Sequence, residues 1–110
     1  MKKAKVYMYD QWVGVLCEDE EGFHFQYRTE YVSSERAEAI SLTLPLKEEA
    51  YHSNVLFPFF DGLIPEGWLL EIVEKNWKVN PRDRMELLLK TCKDCIGAVS
   101  IEPLMEDKDE

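Results

Sequence analysis

The chain has 110 residues and a formal net charge of −9, from 13 basic and 22 acidic side chains. This length suits one domain and excludes a complete kinase, TIM barrel or dinucleotide-binding enzyme, each of which needs roughly 200 residues or more. A hydrophobic share of 45% provides for a core, while the negative charge argues against nucleic acid and anionic membranes and favours a basic protein partner.

The first part of the chain alternates between apolar and polar residues, which predicts an antiparallel meander over residues 5–31. Asp10-Gln11 is the expected first connection, and the acidic turn 18–22 is the second. Gly14 inside the second strand indicates a bulge or a close backbone approach. His24 lies between aromatic residues of the third strand, so we expect it on the opposite, solvated face of the sheet.

Later segments change from strand to helix. Residues 33–38 are polar and predict a loop or a short helical turn, and alternating apolar residues predict a strand over 40–46, followed by a polar connection over 47–53. Helical spacing then predicts three helices and a last strand, at residues 55–60, 65–77, 80–92 and 97–101, with Asn80 as the cap of the third helix. Because the strands come largely in one block, the expected fold class is α+β, with a small antiparallel sheet packed against about three helices. The domain is expected to span residues 1–103, followed by an acidic tail over 104–110.

Two helices raise the question of a docking surface. On the second helix, the predicted apolar face holds Leu69, Ile72 and Val73, with Leu70 and Trp77 at its side. Trp68 lies outside this face, and it is either an interface anchor or a side chain that packs on the sheet or on the 55–60 helix. On the third helix, Met85, Leu88, Leu89 and Cys92 share the inward face. Leu87 lies on the far side and is either a second contact or a single exposed leucine, and we favour the exposed position.

Catalytic, metal and cofactor sites have little support in the sequence. No phosphate-binding glycine loop and no nucleophile elbow are present. Cys92 and Cys95 form a lone C-x-x-C without the second ligand pair that structural zinc needs, and His24 and His52 are far apart in the chain. We therefore favour ordinary packed thiols over a redox or metal role, and we expect no cofactor and no metal. The odd number of cysteines, the lack of a signal peptide and the lack of a long apolar run favour a cytoplasmic location.

One set of motifs resembles a known family. It consists of Leu44-Pro45-Leu46, then Phe59-Phe60-Asp61-Gly62-Leu63-Ile64-Pro65-Glu66-Gly67, then Leu87-Leu88-Leu89, then Asp94-Cys95-Ile96-Gly97-Ala98-Val99. In this order and spacing, the motifs are similar to the N-terminal subdomain of HipA-type serine/threonine kinases, the toxins of HipA–HipB toxin–antitoxin systems. The chain departs from the family pattern at Leu70, where an arginine is usual, and at Cys92, where a glycine is usual.

The resemblance implies a binding module, because the kinase core with its nucleotide-binding and catalytic loops is absent from the sequence. It is similar to the split arrangement in which a small HipS-like antitoxin pairs with a separate HipT-like kinase and a HipB-like DNA-binding protein. The alternative is a subdomain that completes the N-lobe of a HipA-like kinase and contacts the HipB-like partner. The chain is not expected to be an enzyme, nor to touch DNA or a membrane itself.

The expected partner-binding residues lie in the P-E-G segment and beside it. Trp68 follows the rigid turn of Pro65, Glu66 and Gly67, and its ring would enter the basic nucleotide-binding cleft of the kinase and hinder closure or ATP placement. Asp61 and Glu66 would pair with cations of that cleft.

Overall fold

A five-stranded antiparallel sheet organises the protein. The structure is a computed structural model that describes residues 2–91 and 98–104. The strand order is β4-β3-β2-β1-β5, and the strands are β1 Lys2–Met8, β2 Gln11–Asp19, β3 Gly22–Tyr27, β4 Tyr51–Ser53 and β5 Val99–Pro103. Four helices occur in the described part of the chain: α1 Thr29–Val32, α2 Pro58–Asp61, α3 Trp68–Glu74 and α4 Arg84–Thr91. The α+β class predicted from the sequence is confirmed.

The β1–β2 hairpin follows the predicted pattern closely. Its turn is formed by Tyr9 and Asp10, both with positive φ angles of 52° and 67°, one residue earlier than expected. Gly14 pairs with Val6 while Trp12 pairs with the next residue, Tyr7, so the strand carries an extra residue and bulges. A Cβ on Gly14 would lie 2.6 Å from the carbonyl oxygen of Gln26, so the close backbone approach is confirmed as well.

One face of the sheet is buried beneath the helices, and the other is open. The buried face supplies Val6, Leu16, Phe25, Tyr27 and Ile101, which join one core cluster with residues from all four helices. The rings of Phe25 on β3 and Phe60 on α2 pack with their centroids 5.3 Å apart. His24 lies on the opposite, open face, as predicted from the alternation in β3.

The strand predicted over residues 40–46 is wrong. The segment forms a tight turn in which the Leu44 N–H donates to the Ser41 carbonyl over 3.1 Å, and Leu42 is fully exposed. The cause is the buried Tyr27 hydroxyl, which accepts from the Ile40 N–H at 3.0 Å and donates to the Leu44 carbonyl. The edge strand is instead β4, within the segment predicted as a polar connection.

The helices are shorter than predicted. The α2 helix begins at Pro58 and has Gly62 as its C-cap. The single-turn α1 occupies Thr29–Val32, where the sequence predicted the end of the meander. The α4 helix begins after Asp83, whose Oδ1 accepts from the Glu86 N–H over 3.0 Å. The cap is therefore Asp83 and not Asn80. The start of the predicted last strand and the Cys92–Cys95 pair lie outside the described residues.

The expectation that Leu87 is exposed is also wrong. Leu87 is as fully buried as Met85 and Leu88, with 0% of each exposed. Contacts of α4 with α2, α3 and β5 explain this burial, because a helix with neighbours on several sides buries a wider face than a single amphipathic stripe. In the part of the chain described here, no helix is long and apolar enough to cross a membrane.

Candidate partner-binding surface

The segment before α3 is an exposed turn that leads directly into the helix. Pro65, Glu66 and Gly67 are all exposed, and Gly67 occupies the N-cap position without a side-chain cap. The Trp68 N–H donates to the Pro65 carbonyl over 3.2 Å, and the Glu71 N–H donates to the Gly67 carbonyl over 3.1 Å. Three of the predicted partner-binding residues therefore lie on the surface, immediately next to the fourth, Trp68.

Trp68 itself is half-buried. It packs against the core cluster, on the same side of α3 as Ile72, which is 7% exposed, because residues four apart share a helix face. The predicted apolar face of α3 is therefore right for the buried Ile72 and wrong for Leu69 and Val73, which are exposed. The inward stripe is Trp68 and Ile72. The physical reason is that, among the described helices and strands, α4 is the main neighbour of α3, and one neighbouring helix covers only a narrow stripe of a two-turn helix.

This orientation leaves an apolar patch in solvent. Leu69 is 58% exposed, Leu70 is 63% and Val73 is 67%; we call these three residues the α3 patch. Among the residues that the structure describes, six large hydrophobic side chains are exposed, and the α3 patch accounts for three of them within one short helix. Isolated exposed apolar residues are ordinary, whereas a contiguous group indicates a binding surface.

Acidic side chains accompany the α3 patch. Glu66, Glu71 and Glu74 lie in the same segment, and residues 66–74 include no lysine or arginine. The patch is therefore apolar with negative charge beside it, in a chain with a net charge of −9. Such a surface is complementary to an apolar site lined with cations.

Asp61 lies at the end of α2 and has a partner within the domain. Its Oδ1 lies 2.7 Å from the Nε of Arg84, so this ion pair ties α2 to the start of α4. A second pair, between the Nζ of Lys2 and the Oδ2 of Asp83 at 3.1 Å, connects β1 to the residue that caps α4, and the hydrogen bond that Lys2 donates to Asp83 raises the pKa of Lys2. Both pairs position α4, the helix on which α3 packs.

The open face of the sheet offers a less accessible aromatic residue. The Trp12 ring has the Nζ of Lys5 at 4.8 Å from its centroid and the guanidinium carbon of Arg28 at 4.0 Å. These cation–π contacts already cover the ring, so the α3 patch is the more available apolar surface.

The sequence missed the α3 patch because its residues were assigned to the core. Five of the seven residues of α3 are apolar, in the order Trp68-Leu69-Leu70-Glu71-Ile72-Val73-Glu74. The apolar surface of such a short helix is larger than the area that one neighbouring helix can bury. This excess of apolar surface is the signal that could have identified the docking surface.

Comparison with known proteins gives consistent matches over most of the chain. Residues 4–102 match the family model described as the HipA N-terminal domain. A solved structure titled "N-terminal domain of HipA toxin" has a TM-score of 0.75 and 30% sequence identity, covering 96% of this chain and 95% of that one.

Two curated relatives differ in how much of their length is matched. An uncharacterized protein of Haemophilus influenzae is 34% identical over 102 residues, which are 93% of this chain and 92% of the relative. A putative kinase of Sinorhizobium fredii, Y4mE, is 29% identical over 92 residues, which are 83% of this chain and 22% of that protein. The matched region is the N-terminal subdomain and does not include a kinase catalytic part.

Proposed function

Because the chain belongs to the HipA N-terminal domain family, we propose that it is a non-catalytic module that binds a separate HipA-like serine/threonine kinase and inhibits it. The observation that carries the proposal is the α3 patch, with Leu69, Leu70 and Val73 all more than half exposed beside the Pro65–Gly67 turn. The compartment in which this would occur, the cytoplasm, stays a prediction.

The chemistry of the α3 patch fits a nucleotide-binding cleft. Such clefts combine apolar walls for the base with cations that hold the phosphates. Leu69 and Val73 would contact the apolar walls, while Glu66 and Glu71 would lie near the cations. A helix seated there would occupy the space that ATP needs or hinder closure of the kinase lobes, and either effect inhibits phosphoryl transfer.

Trp68 and Gly67 have separate roles in this proposal. The Trp68 ring is half-buried against the core of its own domain, so it holds α3 in the orientation that exposes the α3 patch. Its remaining exposed surface would contact the kinase. At Gly67, an added Cβ would have no heavy atom within 4 Å. The φ angle of Gly67 is −85°, which other residues adopt as well. A glycine is therefore not required there by the fold, and a partner that approaches the backbone closely would account for it.

The alternative function is a subdomain that completes the N-lobe of a HipA-like kinase and contacts a HipB-like DNA-binding partner. The relation to Y4mE supports this alternative, because there the matched region is about a fifth of a putative kinase (22%). The Haemophilus influenzae relative, which is matched over 92% of its length, supports a role that a small protein performs as a separate chain.

The test of binding replaces Leu69 and Val73 with glutamine together. Because both side chains are exposed, we expect the free energy of unfolding to change by no more than about 0.5 kcal/mol. The affinity for a purified HipA-like kinase core that lacks this domain, measured by calorimetry, should fall at least about tenfold, the effect of losing an interface contact worth about 1.4 kcal/mol.

A matched control and two further variants make this test specific. Leu42→Gln changes a fully exposed leucine outside the α3 patch, and it should leave the affinity unchanged. Gly67→Ala should weaken binding while the fold stays intact. Trp68→Ala should cost on the order of 2 kcal/mol of binding, but it also removes a core contact, so its unfolding must be measured in parallel. Unchanged affinity of the Leu69→Gln/Val73→Gln variant would remove the α3 patch from the interface.

Co-expression with the kinase separates the two functions. Relief of kinase-dependent growth arrest supports inhibition, whereas stronger arrest or higher autophosphorylation supports the completing module. The same assay with the Leu69→Gln/Val73→Gln variant should abolish whichever effect the unmodified chain produces.

A further inference from the structure

The chain contains two histidines, and the sheet brings them together on its open face. His24 on β3 pairs with His52 on β4 in the antiparallel register, although they are 28 positions apart. Their Nδ1 atoms lie 2.6 Å from each other, and the ring centroids lie 4.7 Å apart at an interplanar angle of 81°. Two imidazole nitrogens therefore lie within hydrogen-bond distance of each other near the edge of the sheet.

Asp19 determines which nitrogen of His24 carries a proton. The Oδ1 of Asp19 lies 3.0 Å from the Nε2 of His24 and also accepts the Glu21 N–H over 2.8 Å. A carboxylate can only accept, so Nε2 of His24 carries the proton and, in the neutral ring, Nδ1 presents its lone pair toward His52.

This arrangement is the one that orients ligating histidines in metal proteins. There, one ring nitrogen binds the metal ion while the other donates its N–H to a carboxylate, which fixes the tautomer and increases the basicity of the ligand. In this chain Asp19 would be that carboxylate, and the Nδ1 of His24 would be the ligand.

We propose that His24 and His52 form a two-histidine site for a divalent transition-metal ion of the zinc or nickel class, bound through the two Nδ1 atoms. Imidazole is a preferred ligand of these ions. With metal–nitrogen bonds of about 2.0–2.1 Å, the two nitrogens must separate from the observed 2.6 Å to roughly 2.9–3.4 Å for ligand angles between square-planar and tetrahedral.

The required rearrangement is small. His52 is exposed, so its ring can move outward by the roughly 0.3–0.8 Å that this separation requires. The proton on Nδ1 of His52 then transfers through solvent to Nε2 of the same ring. Water fills the other coordination positions. Within residues 2–91 and 98–104, no group of three or more histidine, cysteine, aspartate or glutamate side chains is arranged to hold a metal ion, so the site has two protein ligands and is open.

The position of the site gives metal binding a structural consequence. The β4 strand has three residues and lies at the edge of the sheet, where β3 is its one partner among the described strands. A metal ion held by His24 and His52 would connect these two strands through their side chains. Because the ion binds the folded chain and not the separated strands, it should raise the temperature of unfolding.

The experiment uses the full chain with Cys92→Ser and Cys95→Ser, so that the C-x-x-C thiols cannot bind the ion. After treatment with EDTA and its removal, the chain is titrated with Zn²⁺, followed by calorimetry and by NMR of the imidazole nitrogens. We expect one ion per chain, a rise in the unfolding midpoint, and shifts in both Nδ1 resonances. Before zinc is added, the spectrum should already show His24 protonated at Nε2.

Two variants test the individual roles. His52→Gln should lower the affinity for Zn²⁺ at least tenfold and abolish the rise in the unfolding midpoint. Asp19→Asn keeps both ligands but changes the group that orients His24, so it should weaken binding about 10- to 100-fold while both Nδ1 resonances still respond. Cys17→Ser should leave binding unchanged, although Cys17 lies opposite His24 in the register.

Two results would overturn the proposal. One is the absence of any Nδ1 shift with Zn²⁺ at millimolar concentration. The other is the same affinity in His52→Gln as in the parent chain, which would place the bound ion elsewhere.

Discussion

Replacing Leu87 with alanine tests the packing of α4 directly. Leu87 is 0% exposed, and truncation of a fully buried leucine costs about 2–5 kcal/mol. The main-chain bonds do not depend on the side chain: the Leu87 N–H donates to the Asp83 carbonyl, and its carbonyl accepts from the Thr91 hydroxyl. The loss therefore reports the packing of the leucine alone. At an exposed position, the same substitution would change stability by no more than about 0.5 kcal/mol.

The assay is urea unfolding followed by tryptophan fluorescence, with a thermal scan in parallel. For a domain of this size, a loss of about 2 kcal/mol corresponds to a fall in the thermal midpoint of about 8–16 °C, while the slope of the urea curve should stay the same. Leu69→Ala is the matched control, because it deletes the same atoms from a helical leucine that is 58% exposed. Equal stabilities of the two variants would refute the burial of Leu87 and restore the orientation predicted from the sequence.

Two further substitutions test the sheet. Tyr27→Phe should cost about 1–3 kcal/mol, since the N–H of Ile40 and the carbonyl of Leu44 lose a buried partner; an unchanged urea midpoint would contradict this. Burial raises the pKa of Tyr27 from 10.0 to about 12, so the unfolded chain releases the hydroxyl proton at a lower pH than the folded chain does. The contribution of the Tyr27 hydroxyl to the free energy of unfolding is therefore fully present below about pH 10 and is lost as the pH rises through about 12. Tyr27→Phe should therefore show a smaller fall in stability over that pH range. Gly14→Ala places a Cβ 2.6 Å from the Gln26 carbonyl oxygen, and a loss below about 1 kcal/mol in the same assay would show that the bulge accommodates a side chain.

The sequence predicted the meander well because local rules determine it. Alternation decides which residues of β1, β2 and β3 face the core, and turn residues decide where each strand ends. Gly14 indicated the bulge for the same reason, since a glycine weakens a strand interior and is favoured there mainly at a bulge or where another backbone comes close. These features depend on residues that are neighbours in sequence or in one hairpin.

Other features depend on distant contacts and could not be predicted in this way. The alternating residues 40–46 satisfy the pattern of a strand, yet Tyr27, from another part of the chain, binds the backbone at Ile40 and Leu44 and folds the segment into a turn. Leu87 is buried because α2, α3 and β5 surround α4. Neither outcome can be read from periodicity, which describes one element without its neighbours.

The α3 helix shows why core and docking residues are hard to distinguish in one sequence. Both uses require large apolar side chains on a helix, so Trp68 and Leu69 satisfy either interpretation equally. The distinction comes from the area that the rest of the domain can cover, and the core covers Ile72 and part of Trp68. What remains exposed includes Leu70. An apolar side chain there lowers solubility without helping the fold, and it becomes favourable only when another surface covers it. This is the physical reason for looking for the proposed partner at α3.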